Sequence, residues 1–238
     1  MNPYEKLMAR KRKWTPVQTT AGKVKEGAEE AIYRALAMRH MEVPVGDFIS
    51  NALEKNVPDS ARSLLLSNVK DEENHDLALG YIANSFGVDP KAEREAFALQ
   101  KAWIEHPDHT ITKAMVAERA IFFVLLPFFR ANGDAGMRTV SADISRDEQI
   151  HVACNSLVCK ELGLDISPSL DKLRKATISW VMQPLKANAA DRKLDKNFWL
   201  KQSDNLMYQG KAPELSFTQA ARMPAFFEHN AVNLPQYA

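Results

Sequence analysis

Two of the six histidines stand three residues after a glutamate, in Glu72-Glu73-Asn74-His75 and Glu148-Gln149-Ile150-His151. A further glutamate lies upstream of each pair at the same interval of 30 residues, Glu42 before Glu72 and Glu118 before Glu148. Residues three apart on a helix leave from one face, so each Glu-x-x-His can turn both side chains on a single ion. Four carboxylates and two imidazoles are the donors of a carboxylate-bridged metal pair inside a four-helix bundle. A lone Glu-x-x-His is a common surface pair; two of them with matched upstream glutamates are a much more specific pattern. Glu118 is followed by the apolar run Ile121-Phe122-Phe123-Val124-Leu125-Leu126. A charge beside such a run is costly to bury unless it is paired or holds a metal. Glu29 and Glu30 fall on the helix expected to carry Glu42, but about three turns away, in a different layer.

Carboxylate and imidazole donors without thiolates suit iron and manganese. Ions bridged at roughly 3.5–4 Å can act on oxygen together. A metal-binding histidine usually hands its second ring N–H to a carboxylate. Asp147, beside Glu148, is the natural candidate to orient His75, with Asp71 and Asp76 as alternatives.

These side chains need four long helices. Glycine is scarce, 9 in 238 residues, and no strand-like alternation persists. The first core helix is expected from about Lys23 past Glu42, bent at Pro44. The second opens at Pro58-Asp59-Ser60 and runs through His75 to about Phe86. A connecting helix covers Lys91 to about Glu105. The third core helix spans about Ile111 to Arg130 and closes at Asn132-Gly133-Asp134. The fourth runs from about Ala135 to Leu162, a further helix fills about Ser167 to Ala187, and the last forty-odd residues read as irregular or only locally helical. The expected fold is all-α, a four-helix bundle with additional helices. It divides into an N-terminal arm (1–20), the helical domain (21–205) and a C-terminal segment (206–238).

The formal net charge of +1 gives no bulk electrostatic case for nucleic acid. The basic residues Lys6, Arg10, Lys11, Arg12 and Lys13 read as a solvated arm. Cys154 and Cys159 lack zinc-site spacing and read as ordinary helix residues in a reducing compartment. The longest apolar run, Ala120 to Phe129, is too short to span a bilayer. With a charged rather than apolar N-terminus, a soluble cytoplasmic protein is expected.

Ser145-Arg146-Asp147-Glu148-Gln149-Ile150-His151 resembles the Arg-Asp-Glu-x-x-His signature of the small (β) subunit of class I ribonucleotide reductase. Glu118 with Phe122 and Phe123 resembles that family's third-helix glutamate and aromatic stretch. Ile144 falls where the family places an apolar residue near the metals. Trp14-Thr15-Pro16 resembles its Trp-x-Pro element, and Phe226-Phe227-Glu228 followed by Tyr237 its C-terminal stretch. The resemblance spans most of the chain. It implies a ferritin-like fold whose metal pair reacts with oxygen or a reduced oxygen species and stores an oxidising equivalent. It also implies a relay through Trp14, Asp147 and His75, a handover through Tyr237 to a large (α) subunit, and a homodimer. Glu42, Glu72, His75, Glu118, Glu148 and His151 would be the ligands, and Phe122, Leu126 and Ile144 would line the pocket around them.

The departures point to a subclass. Most members carry a radical-bearing tyrosine four residues after the first paired histidine, where this chain has Leu79. Tyr81 lies about 200° further round the helix and should face elsewhere. The oxidant is then expected on the metals, with manganese–iron favoured over an iron pair or a manganese pair. Glu42, where many members have aspartate, fits that subclass. The 30-residue interval between Glu118 and Glu148 is short for the family, and members generally continue into a tail that docks on the large subunit. Phe226, Phe227 and Leu234 could anchor such a tail. Rival readings are a stand-alone dimetal oxygenase or oxidase of a small organic substrate, an iron-storage ferroxidase, and a metal-free structural bundle. The last would leave several carboxylates buried and unpaired.

Overall fold

Segments rich in alanine, leucine and long charged side chains are helical in the computed structural model, which describes residues 1–55, 57–188 and 190–216. No strand occurs among the described residues. The fold is all-α, a ferritin-like four-helix bundle with helices added around it.

The first bundle helix is split. Helix α2 (Glu29–Ala37) passes through a single 3-10 turn (Met38–Met41) into α3 (Glu42–Leu53). Pro44 sits in the first turn of α3, where its missing N–H costs nothing because the helix restarts two residues earlier. The helix is interrupted not at Pro44, where a bend was expected, but by the tightened turn before it. The helix begins at Glu29 rather than near Lys23, because Gly27 takes a positive φ of 83° that interrupts it.

The second bundle helix, α4 (Asp59–Phe86), ends at Gly87, whose φ of 98° is open to glycine and strained for other residues. Helix α5 (Pro90–Glu105) makes the connection, with Asp89 accepting from the backbone N–H of Lys91 and Ala92. The third bundle helix comprises α6 (Thr110–Ala117), a π turn (Glu118–Phe122) and α7 (Phe123–Asn132). The fourth, α8 (Ala135–Glu161), is capped by Asp134, which accepts from Met137 N–H at 2.8 Å. Gly133, expected as a helix-ending glycine, has an ordinary φ of −78°. A Cβ there would fall 2.6 Å from the Phe129 carbonyl oxygen and 2.7 Å from Met137 Cβ, so the position needs glycine for close packing.

Helix α3 packs on α4 and α6, and α8 packs on α4, α6 and α7, enclosing the core between them. Outside this bundle, α9 (Pro168–Met182) stops earlier than expected, two residues before Pro184. Helix α10 (Lys196–Gln209) is longer than the sequence suggested and buries Trp199 edge-on against Phe128, with ring centroids 5.3 Å apart.

The N-terminus departs most from expectation. Residues 3–8 form α1 (Pro3–Met8), opened by a capping box between Asn2 and Glu5. The helix lies on α4 and α8 and buries Tyr4 and Leu7. The arm is therefore packed, and its basic residues are not uniformly solvated. Among the described residues no helix is long and apolar enough to cross a membrane.

Candidate metal centre

Each bundle helix delivers its donors at one level. Glu42 is the first residue of α3, Glu72 and His75 lie in the middle of α4, Glu118 opens the π turn, and Glu148 and His151 lie in the middle of α8. All six are at most 1% exposed. The widened π turn re-aims Glu118 relative to α7, a device common at functional positions.

Two sets of ligand atoms form. Glu42, Glu72, His75 and Glu148 offer atoms all within 4.8 Å of one another, and Glu72, Glu118 and His151 do likewise. His75 Nδ1 lies 3.7 Å from Glu42 Oε2, 3.5 Å from Glu72 Oε2 and 3.3 Å from Glu148 Oε1. His151 Nδ1 lies 2.9 Å from Glu72 Oε1, 3.8 Å from Glu118 Oε1 and 3.9 Å from Glu148 Oε2. Glu72 and Glu148 each turn one oxygen toward either histidine, the disposition of bridging carboxylates. Glu42 and Glu118 sit at opposite ends.

Behind the histidines stand two further carboxylates. Trp14 Nε1–H donates to Asp147 Oδ2 at 2.6 Å, and the same oxygen lies 3.3 Å from His75 Nε2. The Trp14 and His75 rings stack with centroids 6.2 Å apart. Of the alternatives to Asp147, Asp71 serves the other histidine, with Oδ2 at 2.9 Å from His151 Nε2. Neither histidine bonds to Asp76. Lys11 pairs with Asp71 and donates to Asn68 Oδ1 at 3.0 Å. Asn155, one turn after His151, donates to Glu118 Oε2 at 2.7 Å.

The contacts of Asp71 with His151, Lys11 with Asp71 and Asn155 with Glu118 were not expected from the sequence. The signal for Asp71 was present: an aspartate immediately precedes both Glu-x-x-His motifs. Lys11 was hidden in a basic run. Leu79, Phe122, Leu126 and Ile144 are all buried in the main hydrophobic core. Tyr237, with Phe226, Phe227, Glu228 and Leu234, lies outside the described residues.

With its own groups alone the cluster is strained in charge. Burial, with Glu72 and Glu148 nearby, drives Glu42 well above the ordinary carboxylate range. Burial and Glu148 do the same to Glu118, and burial raises Glu148. Burial also opposes ionisation of Glu72, but His151 and His75 outweigh it and hold its carboxyl low. Both histidines resist their burial: Asp147, Glu148, Glu42 and Glu72 raise His75 well above its usual value, and Asp71 and Glu72 raise His151.

Eight atoms of these six residues are buried without a hydrogen-bond partner: Glu42 Oε2, both oxygens of Glu72 and of Glu148, Glu118 Oε1, and Nδ1 of each histidine. Buried polar atoms are ordinarily satisfied. Here the orphaned atoms converge on one space, and the charges of four carboxylates match those of two divalent cations. The donor set fits a pair of iron or manganese ions.

No protein-family model matches the chain, and no curated protein matches it by sequence. Among solved structures it is similar to a 1.90 Å crystal structure of a candidate class I ribonucleotide reductase from Bacillus halodurans, with a TM-score of 0.61 and 17% identity over 92% of this chain and 98% of that chain. At this identity the likeness establishes the fold.

Proposed function

We propose that the chain is the radical-generating small (β) subunit of a class I ribonucleotide reductase, serving a large (α) subunit that converts ribonucleotides to deoxyribonucleotides. One observation carries this beyond a generic metal protein. Asp147 Oδ2 joins the Trp14 indole, which reaches in from the N-terminal arm, to His75 of the buried cluster. A substrate oxidase needs a cavity beside its metals; it does not need an oxidisable indole wired to a ligand histidine.

On this reading Glu42 and His75 would hold one ion and Glu118 and His151 the other, with Glu72 and Glu148 available to both. A carboxylate-bridged pair of such ions supplies, when bound, reaction with oxygen or a reduced oxygen species and storage of one oxidising equivalent. Trp14 would be the group that gives one electron to the oxidising equivalent such a pair supplies, its Nε1–H donated to Asp147 Oδ2, which also fixes the His75 ring. Leu79, Phe122, Leu126 and Ile144 keep water away from the cluster. Leu79 cannot carry a stable radical, which favours an oxidant kept on manganese and iron. Tyr237 and the segment from 206 to 238 then belong to the contact with the large subunit. The pairing of two copies and a cytoplasmic setting, with Cys154 and Cys159 as buried free thiols, complete the proposal.

Ribonucleotide reduction with the cognate large subunit, after loading with iron, manganese or both, tests it. Turnover that needs both proteins and the mixed metals is expected. Turnover of a small organic substrate by this chain alone would replace the proposal with a stand-alone oxygenase. A tyrosyl doublet in the low-temperature EPR spectrum of active protein would contradict the metal-held oxidant.

A further inference from the structure

We infer that Lys11 makes the two metal positions unequal: its ammonium cancels the carboxylate charge behind His151, whereas the charge behind His75 is left beside a neutral indole. The inference rests on the dimetal reading and adds to it a source of asymmetry outside the ligands.

The carboxylates behind the two histidines are placed alike. Asp71 and Asp147 each precede the glutamate of a Glu-x-x-His motif, and each crosses to the histidine of the opposite helix, Asp71 to His151 and Asp147 to His75. Both approach Nε2 and leave Nδ1 facing the cluster. The N-terminal arm breaks this symmetry. Lys11 and Trp14 are three residues apart, and the chain lays one over each aspartate. The Lys11 and Asp71 side chains are only 9% and 15% exposed, so solvent screens their pairing weakly.

A carboxylate behind a ligating imidazole makes the ring a stronger donor and adds negative potential at the ion. An ammonium on that carboxylate removes much of both effects. The position at Glu42 and His75 therefore holds a divalent cation more tightly than the position at Glu118 and His151. Asn155 acts in the same direction, because it occupies one oxygen of Glu118. The centre fills in order, the His75 side first, and Lys11 is a positioning residue that sets the gap between the two affinities.

Anaerobic Mn2+ titration of the full chain, by calorimetry and by EPR counting of uncoupled ions, reads this without enzyme activity. The wild-type protein should bind two equivalents of unequal affinity. Lys11→Met should tighten the weaker equivalent by about tenfold and leave the stronger one alone. Lys11→Arg should behave as wild type, and Asp71→Asn should loosen the weaker equivalent by about 10- to 100-fold. Lys11→Gln carries the same expectation as Lys11→Met should the methionine variant not fold. Opposite signs for Lys11→Met and Asp71→Asn support the charge effect. A weaker equivalent unchanged in Lys11→Met, or loosened as in Asp71→Asn, would overturn it and reduce Lys11 to packing. Fewer than two equivalents in the wild-type chain would instead overturn the dimetal reading, and this inference with it.

Discussion

Asp147 Oδ2 sits between an indole and an imidazole, and a single substitution separates its two jobs. Trp14→Phe keeps the aromatic packing and removes the Nε1 donor. It should leave metal content at two ions per chain while abolishing reduction of ribonucleotides with the large subunit; loss of metal together with activity would show Trp14 to be structural. The buried cluster also predicts the pH response of the metal-free protein. His75 and His151 have raised values, so the stability their charged forms contribute is complete below the ordinary 6.5 and is lost as pH rises through the raised values. Glu42, Glu118 and Glu148 are raised above 4.5, so the native state also holds protons there that the unfolded chain releases, and stability again falls with rising pH. Glu72 runs the other way: its contribution is present above 4.5 and is lost only as pH falls through its lowered value. Metal-free protein should therefore melt at a lower temperature at about pH 8.5 than at about pH 5.5, and Mn2+ should erase the difference by replacing protons. A melting temperature rising over that range without metal would contradict the charge arrangement. The two Glu-x-x-His pairs that meet in the buried cluster were legible because a helix turns a spacing of three into one face, and Glu42 and Glu118 because each precedes a pair by the same 30 residues. Asp71 and Asn155 were harder to read, because they act across helices and nothing in a local pattern says which histidine an aspartate will meet.

Helix boundaries were read well where side-chain chemistry marks them, as at Gly87, Asp89 and Asp134. They were missed where backbone geometry decides. The 3-10 turn at Met38–Met41 and the π turn at Glu118–Phe122 carry no compositional mark, yet they set where Glu42 and Glu118 point. Deleting Ala120 should let the third bundle helix close as a regular α-helix, turning Glu118 by about 100° relative to α7. One metal equivalent should disappear while helical content by circular dichroism persists; retention of both ions would show that the π turn is incidental. Helix α10 lies in the stretch expected to be irregular or only locally helical. Trp199 anchors it, fully buried against Phe128 and donating Nε1–H to the Lys193 carbonyl at 2.9 Å. Trp199→Ala should cost about 3–5 kcal/mol in urea-induced unfolding, and a cost below about 1 kcal/mol would mean that α10 is not held by this contact.

At the scale of the molecule, two helical hairpins each bring one single glutamate and one Glu-x-x-His pair, and the N-terminal arm closes over the outer carboxylates. The arm was read as solvated because short basic runs usually are. Its packing depends on partners brought near by the fold: Tyr4 donates to Glu161 at 2.8 Å, 157 residues away, and Lys11 meets Asp71. The proposed function requires two ions in the bundle at the places the six side chains define. Anomalous diffraction from crystals loaded with manganese and iron tests this most directly. Two peaks roughly 3.5–4 Å apart are predicted, one bounded by Glu42 and His75 and the other by Glu118 and His151, with Glu72 and Glu148 between them. A single peak, or metal bound away from these six residues, would contradict it.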